Sequence, residues 1–244
     1  MNLWIRNLRF STKLLAIMVA GFFPLALLAG LYLSQEQQHI HGAQSELSGL
    51  ERLQNLQELL VPLSAHEISS IAVATGEGTA DKLRVAADDV TRIMAQQEQI
   101  DQRVAPKQDD ESYWSAVKAA WSALSTGSTA SPTDIVGMHT LLRRRIFEYR
   151  DHIAAESRLL LDDDPLKHFL IDATVMQIPG YEGYLTQMRA HAASVAAVGK
   201  ATPSDLESIT RDRVLAQSGL DLIAADIGFA AESGADGGLS RGDA

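Results

Sequence analysis

Residues 47–63 read LSGLERLQNLQELLVPL, and leucine recurs in this stretch every three or four positions. An α-helix turns once in 3.6 residues, so this spacing places the leucines on one face of a helix. The leucines of this stripe are Leu47, Leu50, Leu53, Leu56, Leu60 and Leu63. The polar residues between them, such as Arg52, Gln54 and Glu58, are expected on the other faces. The stretch therefore predicts a long amphipathic helix that packs against further helices.

Helix starts are marked by two segments of the same form, Ser131-Pro132-Thr133-Asp134 and Thr202-Pro203-Ser204-Asp205. A hydroxyl residue can cap the helix, proline takes the first helical position, and an acid stands third. Asp164-Pro165 is a variant with an acidic cap. With the breaks at 76–79 and 106–109, this punctuation predicts a first helix that ends near Ala74. The other predicted helices are 79–104, 109–126, 132–161, 165–198 and 203–232.

The predicted fold class is all-α, because no alternating strand pattern of useful length occurs in the sequence. Short connections between long amphipathic helices favour antiparallel neighbours. We therefore expect an elongated antiparallel bundle of about six helices. The glycine-rich residues 233–244 are expected to form a disordered tail.

A membrane-spanning helix is predicted for residues 14–33, which read LLAIMVAGFFPLALLAGLYL and carry no charge. About 20 apolar residues of helix cross a bilayer. Arg6, Arg9 and Lys13 precede the run, and the next basic residue is Arg52. Positive charge holds its end of a span in the cytoplasm. We therefore expect a cytoplasmic lead at 1–13 and a periplasmic domain at 34–232, on a single pass through the inner membrane.

Two other interpretations of this apolar run remain open. A cleavable signal peptide has an apolar core of about 7–15 residues and a small-x-small cleavage site, whereas this run is longer and its exit is a poor cleavage context. A buried helix of a soluble core is the second interpretation. The basic residues flank the run without interrupting it, and Pro24 is better tolerated in a spanning helix than in a soluble one.

Charge and cysteine content exclude several classes of function. Residue 33 is followed by 18 basic and 31 acidic residues, a net charge of −13. Such an acidic surface argues against a nucleic-acid partner and against adhesion to anionic lipid. The chain has no cysteine, so disulfides, thiolate nucleophiles and cysteine metal sites are excluded.

The search for catalytic and metal sites predicts no enzyme, no metal and no cofactor. The seven histidines show no HExxH or similar spacing, and we expect them to be solvated or packed. The run 162–164 of three aspartates suggests a cation site, but a helix cap with favourable charge explains it more simply. Arg143, Arg144 and Arg145 are the densest basic spot, and Arg150 shares the face of Arg143. These arginines either grip an organic acid between helices or form a solvated, ion-paired face.

Residues 157–192, SRLLLDDDPLKHFLIDATVMQIPGYEGYLTQMRAHA, resemble a block found in the exported sensor regions of bacterial transmembrane receptors. The resemblance is to methyl-accepting chemotaxis proteins in particular, and also to sensor histidine kinases and membrane-bound diguanylate cyclases. It covers about a quarter of the chain. The matching positions are Leu161, Asp164, Pro165, Phe169, Leu170, Asp172, Pro179 and Arg189. The lead and apolar run at the start also look like the first span of these receptors.

The resemblance implies a sensor for chemotaxis or related signal transduction that binds a small-molecule ligand, such as an organic acid or an amino acid, and transmits by helix displacement. The ligand-binding candidates are Arg189, from the recurring block, and Arg150 on the preceding helix, with Gln177 and Tyr181 expected to line the same cleft. The six predicted helices, with a long first and a long last member, also resemble the fold of the helical bimodular sensor.

The resemblance also implies a homodimer in which the first helices of the two subunits pack together. The leucine stripe suits either that interface or an intramolecular core. A receptor of this family continues into a second span, a linker and a signalling domain, so we expect a chain truncated before these parts. A membrane-anchored helical scaffold is the alternative of a different class.

Overall fold

The computed structural model describes the backbone of residues 10–104, 108–126, 131–159 and 165–240, and most side chains within these ranges. The described residues form helices and contain no strand, which confirms the all-α class. The chain divides into two compact units, Met1–Ser45 and Glu46–Ala244.

The helix boundaries follow the sequence punctuation closely. The helices are α1 (Phe10–Ala74), α2 (Ala80–Val104), α3 (Gln108–Thr126), α4 (Pro132–Glu156), α5 (Pro165–Ile171), α6 (Ile178–Val198) and α7 (Pro203–Ser240), with a π-helical turn (Asp172–Gln177) between α5 and α6. Ser131 caps α4 and Asp134 completes the capping box. Thr202 and Asp205 exchange the same pair of bonds at the start of α7.

Two helix ends differ from the prediction. Helix α4 ends at Glu156 instead of near residue 161, because Arg158 adopts a left-handed conformation with φ of 60° that no helix can contain. Helix α7 continues to Ser240, beyond the expected end at residue 232. Gly234, Gly237 and Gly238 weaken a helix by only about 1 kcal/mol each and do not stop it. Residues 241–244, and the three aspartates at 162–164, lie outside the described residues.

The predicted helix 165–198 is interrupted by the π-helical turn. The amide of Ile178 bonds to the carbonyl of Ala173, five residues back. Pro179 follows, and proline has no amide hydrogen for the carbonyl four residues earlier. The wider turn therefore accommodates this proline without breaking the helical direction of the segment.

Residue contacts within Glu46–Ala244 show that consecutive long helices run antiparallel, as the sequence predicts. Between α1 and α2, Glu51 pairs with Arg103 and Asn55 bonds to Gln97. Between α6 and α7, residues later in α6 contact residues earlier in α7, as antiparallel helices require. His191 bonds to Asp212, Tyr181 lies against Gly219, and Phe169 of α5 packs on Phe229.

The core is built from α1, α2, α3 and α4, together with Leu159. Its buried members are Leu53, Leu56, Leu59, Leu63, Val90, Ile93, Met94, Trp114, Val117, Leu124, Leu142, Ile146, Tyr149, Ile153, Ala154 and Leu159. The leucine stripe of α1 thus serves the intramolecular core, although its first member, Leu47, is 67% exposed. Arg52, one of the polar residues between the leucines of the stripe, is buried against α2 and α4. A buried ion pair can place an arginine on an apolar face.

Helix α7 buries less apolar surface than its sequence suggests. Ala216, Ile223 and Ala230 are buried, while Leu220, Leu222, Ile227 and Phe229 remain about half exposed. Among the described residues, the segment Pro203–Gly234 is the one helix that is long and apolar enough to cross a membrane.

In the unit Met1–Ser45, the described apolar side chains of the predicted span are exposed. Phe22, Phe23, Leu25 and Tyr32 are each more than 60% exposed. The side chains of residues 14–17 and of Ala20 lie outside the described residues, so the span at 14–33 stays a prediction.

Candidate functional site

A first buried polar network joins α1, α2 and α4. Arg52 donates through Nε to Oδ1 of Asp101 (2.9 Å) and through Nη2 to the hydroxyl of Tyr149 (2.8 Å). The hydroxyl of Tyr149 donates in turn to Oδ2 of Asp101 (2.8 Å). Burial raises the pKa of Tyr149 far above its ordinary value. Because these hydrogen bonds close a ring within the core, we assign the network a structural role.

A second buried cluster contains two histidines that are distant in sequence. His139 Nδ1 lies 2.8 Å from the carbonyl of Ile135, and its Nε2 lies 3.0 Å from Nδ1 of His66. The carbonyl can only accept, so Nδ1 of His139 carries hydrogen and His66 donates to Nε2. Burial lowers the pKa of His66 to about 4 and that of His139 to about 3. Both rings are therefore neutral at pH 7.

Arg143 and Glu67 form an ion pair beside these histidines. Their side chains are 3% and 0% exposed, and Nη2 of Arg143 donates to Oε2 of Glu67. Nη1 of the arginine and Oε1 of the glutamate are buried without a hydrogen-bond partner in the described part of the chain. Burial raises the pKa of Glu67, and the positive charges of Arg143, His191 and Arg189 oppose this rise.

Arg143 lies at the wall of a cleft between α1, α4 and α6 with a volume of about 780 Å³. The polar side chains that line the cleft are Gln54, Gln57, Glu58, Ser64, Arg143, Glu182, Thr186 and Arg189. Gly183 lies in the same wall, where a side chain would approach the ring of Phe147 to 3.0 Å. A cleft of this size suits a small molecule, and its charged lining consists of two arginines, Arg143 and Arg189, and two glutamates, Glu58 and Glu182.

A smaller, mostly apolar cavity of about 320 Å³ lies next to this cleft. Gln54, Gln57 and Leu60 line both spaces. Arg150 is its charged lining residue. The guanidinium of Arg150 binds Oδ1 of Asp151, donates to the carbonyl of Met176 at 3.2 Å, and lies 4.6 Å from the centre of the Phe147 ring.

The four ligand-binding candidates are not all brought together. Arg189 lines the larger cleft and Arg150 the smaller one. Gln177 bonds to Asp172 inside the π-helical turn, and Tyr181 packs against Gly219 of α7. Neither Gln177 nor Tyr181 lines these two clefts, so the expected common cleft of all four is not formed.

The sequence analysis missed two contacts, the ion pair of Glu67 with Arg143 and the contact of His66 with His139. In each contact the two residues are more than 70 positions apart, so no local spacing in the sequence indicates it. Arg143 of the arginine run faces inward and pairs with Glu67, and its binding of an organic acid stays a prediction. The ion-paired interpretation holds for Arg144 and Arg145, which bind Glu148.

Within the described ranges, no group of three or more histidine, aspartate or glutamate side chains is placed to hold a metal ion. Comparison of the chain with protein-family models, with curated proteins and with solved structures finds no match.

Proposed function

We propose that this chain is the sensor region of a bacterial transmembrane chemoreceptor and binds a small anionic solute in the cleft between α1, α4 and α6. The single observation that carries the proposal is that Arg143, a buried arginine, lines the cleft between three helices. Arg189 adds a second positive charge to the same cleft. An organic acid or an amino acid supplies the carboxylate that such groups bind.

The position of the cleft supports transmission by helix displacement. Its walls belong to three helices, and one of them, α1, is the helix that contains the proposed membrane span. A ligand that binds one arrangement of these helices more tightly than another shifts the population toward that arrangement. In this proposal the bundle is periplasmic, residues 1–13 are cytoplasmic, and the receptor is a homodimer.

Thermal unfolding of the purified full chain in detergent tests ligand binding. We expect a carboxylate from a panel of organic acids and amino acids to raise the midpoint, since a ligand of the folded state stabilises it. The shift should disappear in Arg143→Gln and Arg189→Gln. It should persist in Arg144→Gln, because that adjacent arginine is exposed and paired with Glu148.

The sensor region of a histidine kinase or a diguanylate cyclase has the same exported architecture and makes the same prediction. A membrane-anchored helical scaffold does not. If no compound of the panel moves the midpoint, the scaffold becomes the better explanation.

A further inference from the structure

The smaller cavity continues the larger cleft along the same three walls. On α1 the lining of the larger cleft begins at Gln54, and that of the smaller cavity extends one turn further, to Leu50. On α4 the lining passes from Arg143 to Arg150, and on the third wall it passes from α6 into the π-helical turn. Three side chains of α1 line both spaces. The step from Arg143 to Arg150 is about two helical turns, or about 11 Å, so the two spaces form one elongated seam.

The two parts of this seam differ in chemistry. The larger cleft contains two arginines and two glutamates, together with glutamine, serine and threonine side chains. The smaller cavity has mostly apolar walls. Its apolar lining residues are Leu50, Leu53, Leu56, Leu60, Ile146, Phe147, Val175 and Pro179. Burial of apolar surface is favourable, whereas burial of an unpaired charge is costly. The smaller cavity therefore suits an uncharged apolar group, and the larger cleft suits a polar one.

Arg150 does not make the smaller cavity a site for an anion, because all of its nitrogens have protein acceptors. Its Nε and Nη2 donate to Oδ1 of Asp151, and its Nη1 donates to the carbonyl of Met176. Its side chain is 13% exposed. The guanidinium lies over the ring of Phe147, 4.6 Å from its centre. A carboxylate would have to displace these partners, so we assign Arg150 the role of closing the far end of the seam.

The volume of the smaller cavity limits the size of the group that it holds. An apolar cavity of about 150 Å³ holds one benzene molecule, and the smaller cavity has a volume of about 320 Å³. It therefore admits a phenyl ring with a short chain, or an unbranched chain of about six to eight carbons. The ring of Phe147 lies close to Gly183 of the larger cleft, where an added side-chain carbon would be 3.0 Å from it. Phe147 thus belongs to the boundary between the two spaces.

We propose that the ligand is an amphipathic carboxylic acid whose apolar tail fills the smaller cavity while its carboxylate stays in the larger cleft. This inference rests on the proposed function and narrows its ligand class to acids that carry an apolar tail. Leu50, at the rim, and Phe147, at the boundary, determine the size of tail that is accepted. Acetate leaves the smaller cavity unfilled, and succinate would place a second charge in it, so both bind more weakly.

Isothermal titration calorimetry of the full chain in detergent at pH 7 tests the inference. The probes are acetate, butyrate, hexanoate, octanoate and decanoate, with 3-phenylpropionate and succinate for comparison. Titration into detergent alone gives the heat of partition into micelles. We expect affinity to rise up to about fourfold for each added methylene and to stop rising near octanoate, when the cavity is full. We expect 3-phenylpropionate to bind at least about tenfold more tightly than succinate.

Variants of the rim and the boundary locate the tail. Leu50→Trp should fill the cavity and lower the affinity for hexanoate about tenfold, with little effect on acetate. Leu47→Trp, one turn earlier at a position that is 67% exposed and lines neither space, should behave like the parent chain. Phe147→Leu should move the tightest binding to a longer tail, and this shift decides if Leu50→Trp fails to fold.

Two results would overturn this inference and leave the proposed function standing. One is an affinity that does not depend on the length of the tail. The other is a dependence on tail length that both Leu50→Trp and Phe147→Leu leave unchanged, since that dependence would come from the detergent or from another apolar surface. Absence of binding by this series and by the carboxylate panel overturns both the inference and the proposed function.

Discussion

Tyr149 is the residue through which three helices share one hydrogen-bond network. Its hydroxyl accepts from Arg52 of α1 and donates to Asp101 of α2, and its ring packs against Trp114 of α3. The buried Arg52 and Asp101 form a direct ion pair, and the hydroxyl of Tyr149 bonds to both of them. The helical periodicity of the sequence contains no sign of this polar role.

The substitution Tyr149→Phe should lower the free energy of unfolding by about 1–3 kcal/mol, because it removes the bridging hydroxyl and leaves buried polar atoms unsatisfied. Urea denaturation of the full chain measures the change. Tyr113→Phe is the matched control, since Tyr113 is 39% exposed. Equal stability of the two variants would contradict the structural role of the network.

The two buried histidines make stability depend on pH. Their folded-state pKa values, about 4 for His66 and about 3 for His139, lie below the ordinary value of 6.5. The unfolded chain therefore binds more protons than the folded chain as the pH falls from 6.5 toward 4. We expect each histidine to cost up to about 1.4 kcal/mol of stability per pH unit in this window.

Denaturation midpoints measured between pH 7.5 and 4.5 check this dependence. Carboxylates also contribute in acid, so the comparison with His139→Asn isolates the histidine part. We expect a shallower loss of stability in that variant than in His41→Asn, whose imidazole is exposed in the parent chain. Parallel curves for the two variants would show that the buried pair is not responsible.

At the scale of the helix, Gly49 marks a close approach of α1 to the residue that follows α4, Ser157. A side-chain carbon at this position would lie 2.3 Å from Cβ of Ser157. Ser157 is itself buried and donates to the carbonyl of Ile153 at 2.6 Å. The glycine in the leucine stripe is therefore a packing requirement and not a helix break.

Gly49→Ala should destabilise the fold by about 1–3 kcal/mol, because the two helices must separate to admit the methyl group. Gly137→Ala in α4 is the matched change at an open position, with no atom within 4 Å of the added carbon. It should stabilise the fold by about 0.5–1 kcal/mol through helix propensity. Thermal unfolding of both variants measures the contrast, and stabilisation by Gly49→Ala would refute the close contact.

At the scale of the whole molecule, two segments compete as membrane anchors. Residues 14–33 are uncharged, whereas α7 carries Asp221 and Asp226 within its apolar part and packs partly on α6. An acid at the centre of a spanning helix is costly. The proposed topology, with a periplasmic bundle, therefore keeps the span at residues 14–33 as a prediction, although Pro203–Gly234 is the described helix that is long and apolar enough to cross a membrane.

Replacing Leu25 and Leu28 by arginine should move the full chain from the membrane fraction to the soluble fraction, since each arginine costs about 2.5–3.5 kcal/mol at a span centre. Leu222→Arg, at an exposed position of α7, is the matched change and should leave the chain in the membrane fraction. The reverse pattern would identify α7 as the anchor. Protease added to spheroplasts should digest the bundle, and its protection would refute the periplasmic location.

The sequence by itself determined the helical class, the helix starts and most helix ends, because these depend on interactions within about four residues. The capping box at Ser131 and the leucine spacing of α1 are examples. Only the tertiary structure decided which polar residues are buried together. Glu67 and Arg143 meet across 76 positions. Helical periodicity assigns a residue to a face, but it does not say which face of which helix lies opposite, and the chemistry of the cleft depends on that pairing.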